Sequence, residues 1–347
     1  MPNYAWPTIV QVGPDPTAVG GIATVIRTYV SMLSEQTTVR QVTSWRPGAR
    51  GRSAIVALDA ARQLAALRTH RHREGVLVHV HVSQRGSFGR EGALIQAVSA
   101  LDYPVVVTVH GSQFVATSEQ PSWRMLYSRV LRRADAVAVL NDEALAVVRD
   151  LAPRTPVTLL PNPGPVRPEW APADDAADPI VLFAGEVSRR KGVDVLLRAW
   201  PAVTAAVPGA RLMVAGPPGG IDVDGVPGVR WLGAVSAEEI RKRLGEARVA
   251  VLPSRAEGMP MFVLEAMAAA RPVVGSTVGA MPHLLAGVGT VVDPGDAERL
   301  ADALIAYLCD PERARRDGAA GRAEYLRSHS PEVTMQRLAA FYRTGAR

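Results

Sequence analysis

Residues 180–203 read IVLFAGEVSRRKGVDVLLRAWPAV and contain one complete strand–loop–helix unit. The run Ile180–Ala184 is short, apolar and followed by glycine, which is typical of a strand that is buried on both faces of a parallel sheet. A polar loop comes next, and the apolar residues of Val193–Val203 recur with the spacing of an amphipathic helix. This stretch therefore predicts a strand–helix unit whose loop lies at the carboxyl end of the strand.

The same pattern recurs along the whole chain of 347 residues, a length that suits about two domains. Nine further apolar runs predict strands: Thr8–Val12, Val76–Val82, Val105–Val109, Ala136–Leu140, Val157–Leu160, Arg211–Ala215, Val249–Leu252, Val273–Gly275 and Thr290–Val292. Amphipathic stretches between them predict helices, among them Ile22–Leu33, Ala54–Leu67 and Ala297–Leu308. Strand–helix alternation of this kind predicts an α/β protein with doubly wound parallel sheets.

A proline-rich segment divides this pattern into two similar halves. Pro161–Pro165 and the prolines and aspartates up to Asp175 favour neither a helix nor a central strand, which is typical of a stiff linker. We therefore expect an N-terminal domain over residues 1–165, a second domain over 166–330, and a final segment, 331–347. The final segment contains an amphipathic helix at Val333–Tyr342, which is expected to pack back towards the first domain.

The excess positive charge lies in the first half of the chain. Residues 1–165 carry 17 Arg and 11 acidic residues, whereas the rest of the chain has balanced charge. Arginines cluster in Arg62–Arg73 and in Arg124–Arg133. Two interpretations stay open: an N-terminal domain that attaches to an anionic membrane surface, and an ordinary soluble surface with arginine-rich coding. Nucleic-acid binding is not expected, because basic and aromatic residues are not interleaved.

Composition excludes several other classes. The single cysteine, Cys309, excludes an internal disulfide framework, and its helical surroundings predict a buried, unreactive thiol. No uncharged apolar run reaches 18 residues, and the first 14 residues do not resemble a secretory leader. We therefore expect a cytoplasmic protein. The alternative expectation is a cytoplasmic protein that is attached peripherally to the inner face of the membrane.

Two loops at predicted strand ends suit phosphate groups. Gly20 and Gly21 open the first helix, where paired glycines let backbone N–H groups approach an anion. Residues 185–192, GEVSRRKG, carry three adjacent cations that include Arg190 and Lys191, which suits a diphosphate. The simpler interpretations are a plain turn for the first loop and a solvated basic loop for the second.

A third loop carries two carboxylates. Residues 257–265, EGMPMFVLE, set Glu257 and Glu265 on either side of a Gly/Pro loop and the start of a helix. The helix N-terminus would offer N–H groups to a phosphate, and each carboxylate can accept hydrogen bonds from neighbouring sugar hydroxyls. By chemistry alone, a helix cap and a surface charge explain the pair equally well.

The assembled pattern resembles the retaining glycosyltransferases of family 4, which have the GT-B fold. The block at Glu257–Ala268 resembles their E-x7-E signature, and Gly185–Gly192 resembles their G-x5-KG phosphate loop. Gly20–Gly21 matches the family's glycine loop, and Val109–Gly111 matches its strand-end histidine. The resemblance covers almost the whole chain and implies two Rossmann-like, doubly wound domains that face a central cleft.

The resemblance also implies a role for each matching residue. His110 and Glu257 would be catalytic, with His110 close to the reacting carbon of the sugar and Glu257 positioning the transferred sugar. Lys191 would contact the donor diphosphate, and Glu265 would hold the nucleotide ribose. The remaining donor-binding residues would be Gly20, Gly21, Arg190, Gly258, Met259, Met261 and Phe262. No metal ion and no cofactor are expected apart from the nucleotide-sugar donor substrate.

Several positions depart from the family pattern, among them Gly279-Ala280 in place of a glycine pair and Met281-Pro282-His283 where Pro-Glu is common. Glu186 stands where family members often have an arginine in the phosphate loop, and either Arg189 or Arg190 would have to replace that cation. Ala270 stands where a glycine is usual.

The implied reaction is metal-independent transfer of a sugar, with retention, from a nucleotide diphospho-sugar to a hydroxyl acceptor. UDP-sugars are favoured over GDP-sugars as donors. Val78–His81 with Ser87 and Arg90 resembles polysaccharide-assembly members, so a lipid-linked or growing polysaccharide acceptor is the leading expectation. His79 and His81 alternate on one strand and therefore face one side, where packing is favoured over metal binding. Two other functions stay open: a non-catalytic nucleotide-sugar-binding assembly partner, and a GT-B nucleotide-sugar epimerase.

Overall fold

The computed structural model describes residues 8–18, 20–46, 48, 53–65, 75–165 and 179–345. These residues form two compact units. The first contains the described residues up to 165 together with 331–345, and the second contains 179–330. Within the predicted linker, Pro161–Pro165 forms neither helix nor strand, and the part from Pro168 to Asp175 lies outside the described residues.

The first unit is built on a six-stranded parallel sheet. Its strands are β1 (Thr8–Pro14), β2 (Thr38–Trp45), β3 (Val76–Val82), β4 (Val105–Val109), β5 (Ala136–Val139) and β6 (Val157–Leu159). Its first six helices are α1 (Gly21–Leu33), α2 (Ser53–Ala65), α3 (Gly86–Ala100), α4 (Phe114–Ser118), α5 (Pro121–Leu131) and α6 (Asp142–Leu151). The spatial order is β2-β1-β3-β4-β5-β6, so the strand order reverses between β1 and β3.

The second unit has a six-stranded parallel sheet of its own. Its strands are β7 (Ile180–Ala184), β8 (Arg211–Ala215), β9 (Val229–Gly233), β10 (Val249–Leu252), β11 (Val273–Ser276) and β12 (Thr290–Val292). Its helices are α7 (Val193–Ala206), α8 (Ala237–Glu246), α9 (Met261–Ala268), α10 (Met281–Leu284), α11 (Ala297–Cys309) and α12 (Pro311–Ser328). The order β9-β8-β7-β10-β11-β12 is that of a Rossmann fold, and it reverses between β7 and β10.

The last helix, α13 (Pro331–Thr344), is part of the first unit. It contacts α1 and β5, and it buries Leu338, Phe341 and Tyr342. The apolar face predicted from the spacing of Val333–Tyr342 is therefore covered by the first sheet and its helices.

The predicted α/β class with doubly wound parallel sheets is confirmed, and all ten predicted strands are present. Two strands, β2 and β9, were not predicted, and both lie at the edge of their sheet. An edge strand is covered on fewer sides, so the residues of β2 alternate between exposed and covered positions and give no continuous apolar run.

One prediction about the fold is wrong. Cys309 is exposed, because it is the last residue of α11 and lies beyond the buried face that Leu304, Tyr307 and Leu308 provide. Among the described helices, none is long and apolar enough to cross a lipid bilayer.

Candidate functional site

In the second unit, the loops that follow β7 and β10 meet where the strand order reverses. Lys191 Nζ donates a hydrogen bond of 2.6 Å to Glu257 Oε1, and Ser254 Oγ donates one of 2.7 Å to the same oxygen. Only 8% of Glu257 is exposed, so its carboxylate is nearly withdrawn from water but is paired. Lys191, Ser254 and Glu257 are called the charged cluster below.

Backbone packing holds these two loops together. Gly192 has φ +75°, and a Cβ at this position would overlap the carbonyl oxygen of Pro253. Only glycine therefore lets the first loop approach the second so closely, which explains why a glycine follows Lys191.

A second ion pair joins the same loops. The Arg255 guanidinium donates to both carboxylate oxygens of Asp194, at 2.7 and 2.8 Å, and the Arg255 N–H donates to the carbonyl of Arg190 at 2.8 Å. The hydrogen bonds from Arg255 lower the pKa of Asp194 and the contact raises the pKa of Arg255. Sequence reasoning missed both residues, although an acidic residue in the first turn of α7 and an arginine next to Ser254 were visible signals.

The backbone between Glu257 and α9 is also fixed. The carbonyl of Gly258 accepts a hydrogen bond of 2.9 Å from Ala280 N–H, and a Cβ on Gly279 would overlap the Glu257 carbonyl oxygen. Met259 and Phe262 are buried, and Met261 begins α9. No side chain caps the N-terminus of α9, so the first-turn N–H groups other than that of Val263, which donates to the Pro260 carbonyl at 3.2 Å, are available to an anion.

Glu265 lies on α9 and is half-buried. Burial raises its pKa to about 7, and the nearby Arg241 opposes that rise. The carboxylate makes no hydrogen bond with any other residue that the structure describes. It is thus a polar group with unused hydrogen-bonding capacity, as a sugar-diol site requires.

The arginines of the basic loop, residues 185–192, have different surroundings. Arg190 lies 3.4 Å from Glu186 Oε2, which also accepts a hydrogen bond of 3.0 Å from Ser188 Oγ. Arg189 is exposed, and its charge helps to lower the pKa of Asp194. The acidic residue at position 186 is therefore partly neutralised within its own loop.

In the first unit, Gly20 and Gly21 are exposed at the start of α1. Open space surrounds both positions, as an incoming ligand would need. The preceding loop is held by Asp15, whose carboxylate accepts hydrogen bonds from Thr17 N–H (2.9 Å) and Thr17 Oγ1 (2.6 Å). These two hydrogen bonds lower the pKa of Asp15.

His110 follows β4 and belongs to a chain of hydrogen-bonded side chains. His110 Nε2 lies 2.9 Å from His81 Nδ1, and His81 Nε2 lies 2.7 Å from Gln11 Oε1. Gln11 Nε2 donates to Tyr342 Oη at 2.9 Å, and Tyr342 Oη lies 3.0 Å from His79 Nδ1. These five residues are called the histidine chain below, and His79 Nε2 closes its far end on Thr108 Oγ1 at 2.7 Å.

Every imidazole of the histidine chain is neutral at pH 7. Burial lowers the pKa of His79 to about 3, and it holds the pKa of His81 well below its ordinary value. Burial also lowers the pKa of His110 to about 3, against a hydrogen bond to Asn162 that raises it. The prediction that His79 and His81 face one side is confirmed, since their ring centroids are 4.1 Å apart.

Sequence reasoning missed Gln11, the link between His81 and His110, and Tyr342. The polar residue within the apolar strand β1 was the available signal for Gln11. Tyr342 gave no signal, because a buried tyrosine on an amphipathic helix is ordinary. No group of His, Cys, Asp and Glu suited to a metal ion is found in the part of the chain that the structure describes.

Solved structures with the same architecture cover nearly the whole chain. Sucrose-phosphate synthase from Thermosynechococcus elongatus superposes with a TM-score of 0.78 at 22% identity, over 97% of this chain and 98% of that one. HepE from Anabaena in complex with UDP-glucose superposes with a TM-score of 0.75 at 14% identity, over 97% and 99% of the two chains. These likenesses identify the fold as GT-B.

Curated relatives share the sequence pattern at moderate identity. A GDP-mannose-dependent monoacylated alpha-(1-6)-phosphatidylinositol monomannoside mannosyltransferase from Corynebacterium glutamicum is 32% identical, over 46% of each chain. The alpha-D-kanosaminyltransferase of Streptomyces kanamyceticus is 27% identical, over 79% of this chain and 78% of that one. The chain spans less than half the length of the first two curated relatives that it matches.

Two family models match, one in each unit. Residues 20–163 match "Glycosyl transferase 4-like domain", and residues 178–310 match "Glycosyl transferases group 1". Together they cover most of the chain, including His110, Lys191, Glu257 and Glu265. The chain therefore belongs to the GT-B glycosyltransferases of the family 4 type.

Proposed function

We propose that this protein is a glycosyltransferase that moves a sugar from a nucleotide diphospho-sugar to a hydroxyl acceptor. The observation that carries the proposal is the charged cluster beside the uncapped N-terminus of α9, at the strand-order reversal of the second sheet. Ligands of open α/β sheets bind at such reversals, and a lysine beside a helix N-terminus suits a diphosphate.

In this proposal the second unit binds the donor. Lys191 and the first-turn N–H groups of α9 stabilise the negative charge of the diphosphate, with Arg190 or Arg189 adding a further cation. Glu265 accepts hydrogen bonds from the ribose hydroxyls. Glu257 is fixed by Lys191 and Ser254, so its second carboxylate oxygen is available to a hydroxyl of the transferred sugar.

We propose transfer with retention and without a metal ion. The bond between the anomeric carbon and the diphosphate oxygen breaks, and the acceptor oxygen bonds to that carbon on the same face. The acceptor proton passes to the departing phosphate oxygen, whose charge Lys191 and the helix N-terminus stabilise. We assign His110 to the sugar, as the family resemblance implies; being uncharged at pH 7, it would add no positive charge where the transition state itself becomes positive.

The test is nucleotide release from UDP- and GDP-sugars, with candidate acceptors present. UDP-sugars come first in this proposal, and GDP-sugars belong in the test because several relatives are named as GDP-mannose-dependent. We expect Lys191→Ala and Glu265→Ala to lower the rate by about 100-fold or more. The matched control is Lys242→Ala, since Lys242 is the only other lysine and lies exposed on α8.

Three results would contradict the proposal. Equal activity in Lys191→Ala and the wild type would remove the charged cluster from the reaction. Donor binding with no turnover on any acceptor would favour a non-catalytic assembly partner. Conversion of one nucleotide-sugar into its epimer without transfer would favour an epimerase. Retention itself is tested by the anomeric configuration of the product in NMR, and added chelator should leave the rate unchanged.

We also propose that the first unit attaches to anionic lipid, which would bring a lipid-linked acceptor within reach. The supporting observation is a surface groove of about 540 Å³ along α5, lined by Met125, Ser128, Arg129, Arg132 and Arg133. Met125 is 73% exposed, and a thioether among arginines suits the boundary between headgroups and acyl chains. Of the other predicted cluster, Arg62 lies on α2 and Arg68–Arg73 lies outside the described residues.

The membrane proposal is tested by co-sedimentation with vesicles. We expect binding to vesicles that contain phosphatidylglycerol, weakening at higher salt, and a loss of most binding when Arg129, Arg132 and Arg133 become Ala. Removing three exposed arginines of α12 (Arg315, Arg316 and Arg327) is the charge-matched control. Equal loss in both triple variants, or binding independent of anionic lipid, would leave the ordinary soluble surface as the explanation of the charge.

A further inference from the structure

The histidine chain extends far beyond His110, the residue that the proposed function assigns to the transferred sugar. Gln11 lies on β1 and Tyr342 lies on α13, at opposite ends of the sequence, and both are fully or almost fully buried. Neither has a role in donor binding as proposed above. Burying a polar chain of this length is costly unless every member is hydrogen-bonded, so its arrangement calls for a reason.

Gln11 fixes where the protons of the histidine chain lie. Its Oε1 can only accept, so His81 Nε2, 2.7 Å away, must carry the hydrogen. A neutral His81 then has a lone pair on Nδ1, and this nitrogen accepts from His110 Nε2 at 2.9 Å. His110 is thereby an Nε2–H tautomer with its proton committed to His81, and in this neutral form its Nδ1 is left to accept in the hydrogen bond with Asn162.

The opposite arrangement requires the Gln11 amide to turn over. Gln11 Nε2 would then donate to His81 Nε2, and the proton of His81 would lie on Nδ1 instead. His81 Nδ1 would donate to His110 Nε2, so His110 would carry its own proton on Nδ1. In the structure, Gln11 Nε2 instead donates to Tyr342 Oη at 2.9 Å. If the Tyr342 hydroxyl donates its proton to His79 Nδ1, 3.0 Å away, its oxygen is left as an acceptor for Gln11.

We propose that Gln11 and Tyr342 are positioning residues that hold His110 as a neutral Nε2–H tautomer in one ring orientation for the transfer reaction. The role in transfer rests on the proposed function, whereas the control of the tautomer does not. A histidine whose tautomer is set by a partner on the far side of its ring is a general device for orienting a functional imidazole. Through Tyr342, the last helix of the chain becomes part of that device.

The first arm of the test is ¹⁵N NMR of histidine-labelled full-length protein, which reports the tautomer of each ring. We expect the wild type to show His110 and His81 as Nε2–H tautomers. Tyr342→Phe leaves Gln11 Nε2 without its acceptor, and Gln11→Met removes the acceptor of His81. Both variants should shift the two rings towards a mixture of tautomers.

The second arm is a kinetic comparison of the same variants. We expect kcat to fall by about tenfold or more while the donor KM stays within about twofold, because the donor groups of the second unit are untouched. The matched control is Tyr103→Phe: Tyr103 is also buried in the first unit, and its hydroxyl has no hydrogen-bond partner among the described residues. Tyr103→Phe should change neither the nitrogen shifts nor kcat.

Unchanged His110 tautomers in both Tyr342→Phe and Gln11→Met would overturn the proposal. A shifted tautomer with unchanged kcat would overturn the positioning role. If the wild type transfers no sugar from any donor, the proposed function is wrong, and the nitrogen shifts still decide whether Gln11 and Tyr342 set the tautomer. Thermal unfolding of each variant verifies that it is folded, and Tyr342→Phe is the milder substitution should Gln11→Met fail to fold.

Discussion

At the strand-order reversal of the second unit, two ion pairs join neighbouring loops: Lys191 with Glu257 at 2.6 Å and Arg255 with Asp194 at 2.7 Å. At the corresponding reversal of the first unit, the loops and strands are joined instead by hydrogen bonds between uncharged side chains around His81. Both sheets are parallel and six-stranded, so topology alone does not explain the difference.

Under the proposed function, the difference follows from what each reversal would bind. A diphosphate carries negative charge that must be balanced, and a lysine and an uncapped helix N-terminus would provide that balance in the second unit. The reacting carbon of a sugar instead becomes positive during transfer, and neutral imidazoles avoid opposing it. The same fold thus supports two chemistries through the charge of the groups at one edge of the sheet.

The first substitution that tests this difference is Gly192→Ala, in the second unit. The new Cβ would overlap the carbonyl oxygen of Pro253, and the residue would keep an unfavourable φ of +75°. We expect the free energy of unfolding to fall by more than about 3 kcal/mol, because the clash involves backbone that cannot move aside. Chemical denaturation measures this change.

Gly209→Ala separates the clash from the backbone strain. Gly209 has φ +84°, but nothing lies within 4 Å of its missing Cβ. This variant should lose only about 1 kcal/mol. Equal losses in the two variants would mean that backbone strain alone explains why a glycine follows Lys191.

The histidine chain of the first unit predicts that the protein loses stability in acid. Burial lowers the pKa of His79 from 6.5 to about 3, so between these values the unfolded state binds a proton that the folded state does not. The free energy of unfolding therefore falls as the pH falls through this window, by up to about 1.4 kcal/mol per pH unit for each such histidine. His79→Gln should make the slope shallower by about that amount.

This slope is measured by denaturant titration at a series of pH values between 7 and 4. His283→Gln, which changes an exposed histidine on α10, is the control. The prediction fails if the wild type and His79→Gln have parallel dependences on pH.

The two units also show what a sequence can and cannot predict. The central strands are continuous apolar runs because both of their faces are covered, and all of them were predicted. Of the four edge strands, β6 and β12 still carry short apolar runs and were predicted, whereas β2 and β9 carry no such run and were missed. Sequence signals for strands thus report a continuous apolar run, which an edge strand need not have.

Site residues follow a similar rule. Lys191 and Glu257 were predicted because each stands in a recognisable loop, and the structure brings them into contact. The link from Gln11 through His81 to His110 was not predicted, because it joins three separate strands and depends on side-chain distances of 2.7 and 2.9 Å. Ser254 was missed for the same reason, since a serine after a strand has many ordinary roles.

The second unit should respond to pH with the opposite sign. Burial raises the pKa of Glu265 from 4.5 to about 7, so within this window the folded state holds a proton that the unfolded state has lost. The free energy of unfolding therefore falls as the pH rises from 4.5 to 7. The slope of the free energy of unfolding is smaller than the value of about 1.4 kcal/mol per pH unit that one full proton would give, because Glu265 is only half-buried.

Glu265→Gln should remove this fall. The stability of the variant relative to the wild type should therefore be greater at pH 7.5 than at pH 5. The charge-matched control is Glu298→Gln, which changes an exposed residue in the first turn of α11. The same gain in both variants would point to net charge rather than to the buried carboxyl.

The smallest expected effect compares one strained residue in each unit. Ala270 has φ +55° just after α9, where helices commonly end in a glycine, and Asp102 has φ +57° after α3. Aspartate tolerates this conformation better than alanine does, because its short polar side chain can hydrogen-bond locally. We expect Ala270→Gly to raise the free energy of unfolding by about 0.5–1 kcal/mol and Asp102→Gly to change it less. Denaturant midpoints decide between them. A loss of stability in Ala270→Gly would mean that the half-buried methyl group contributes more by packing than its backbone costs, and the departure from the family's glycine would then be a stabilising one.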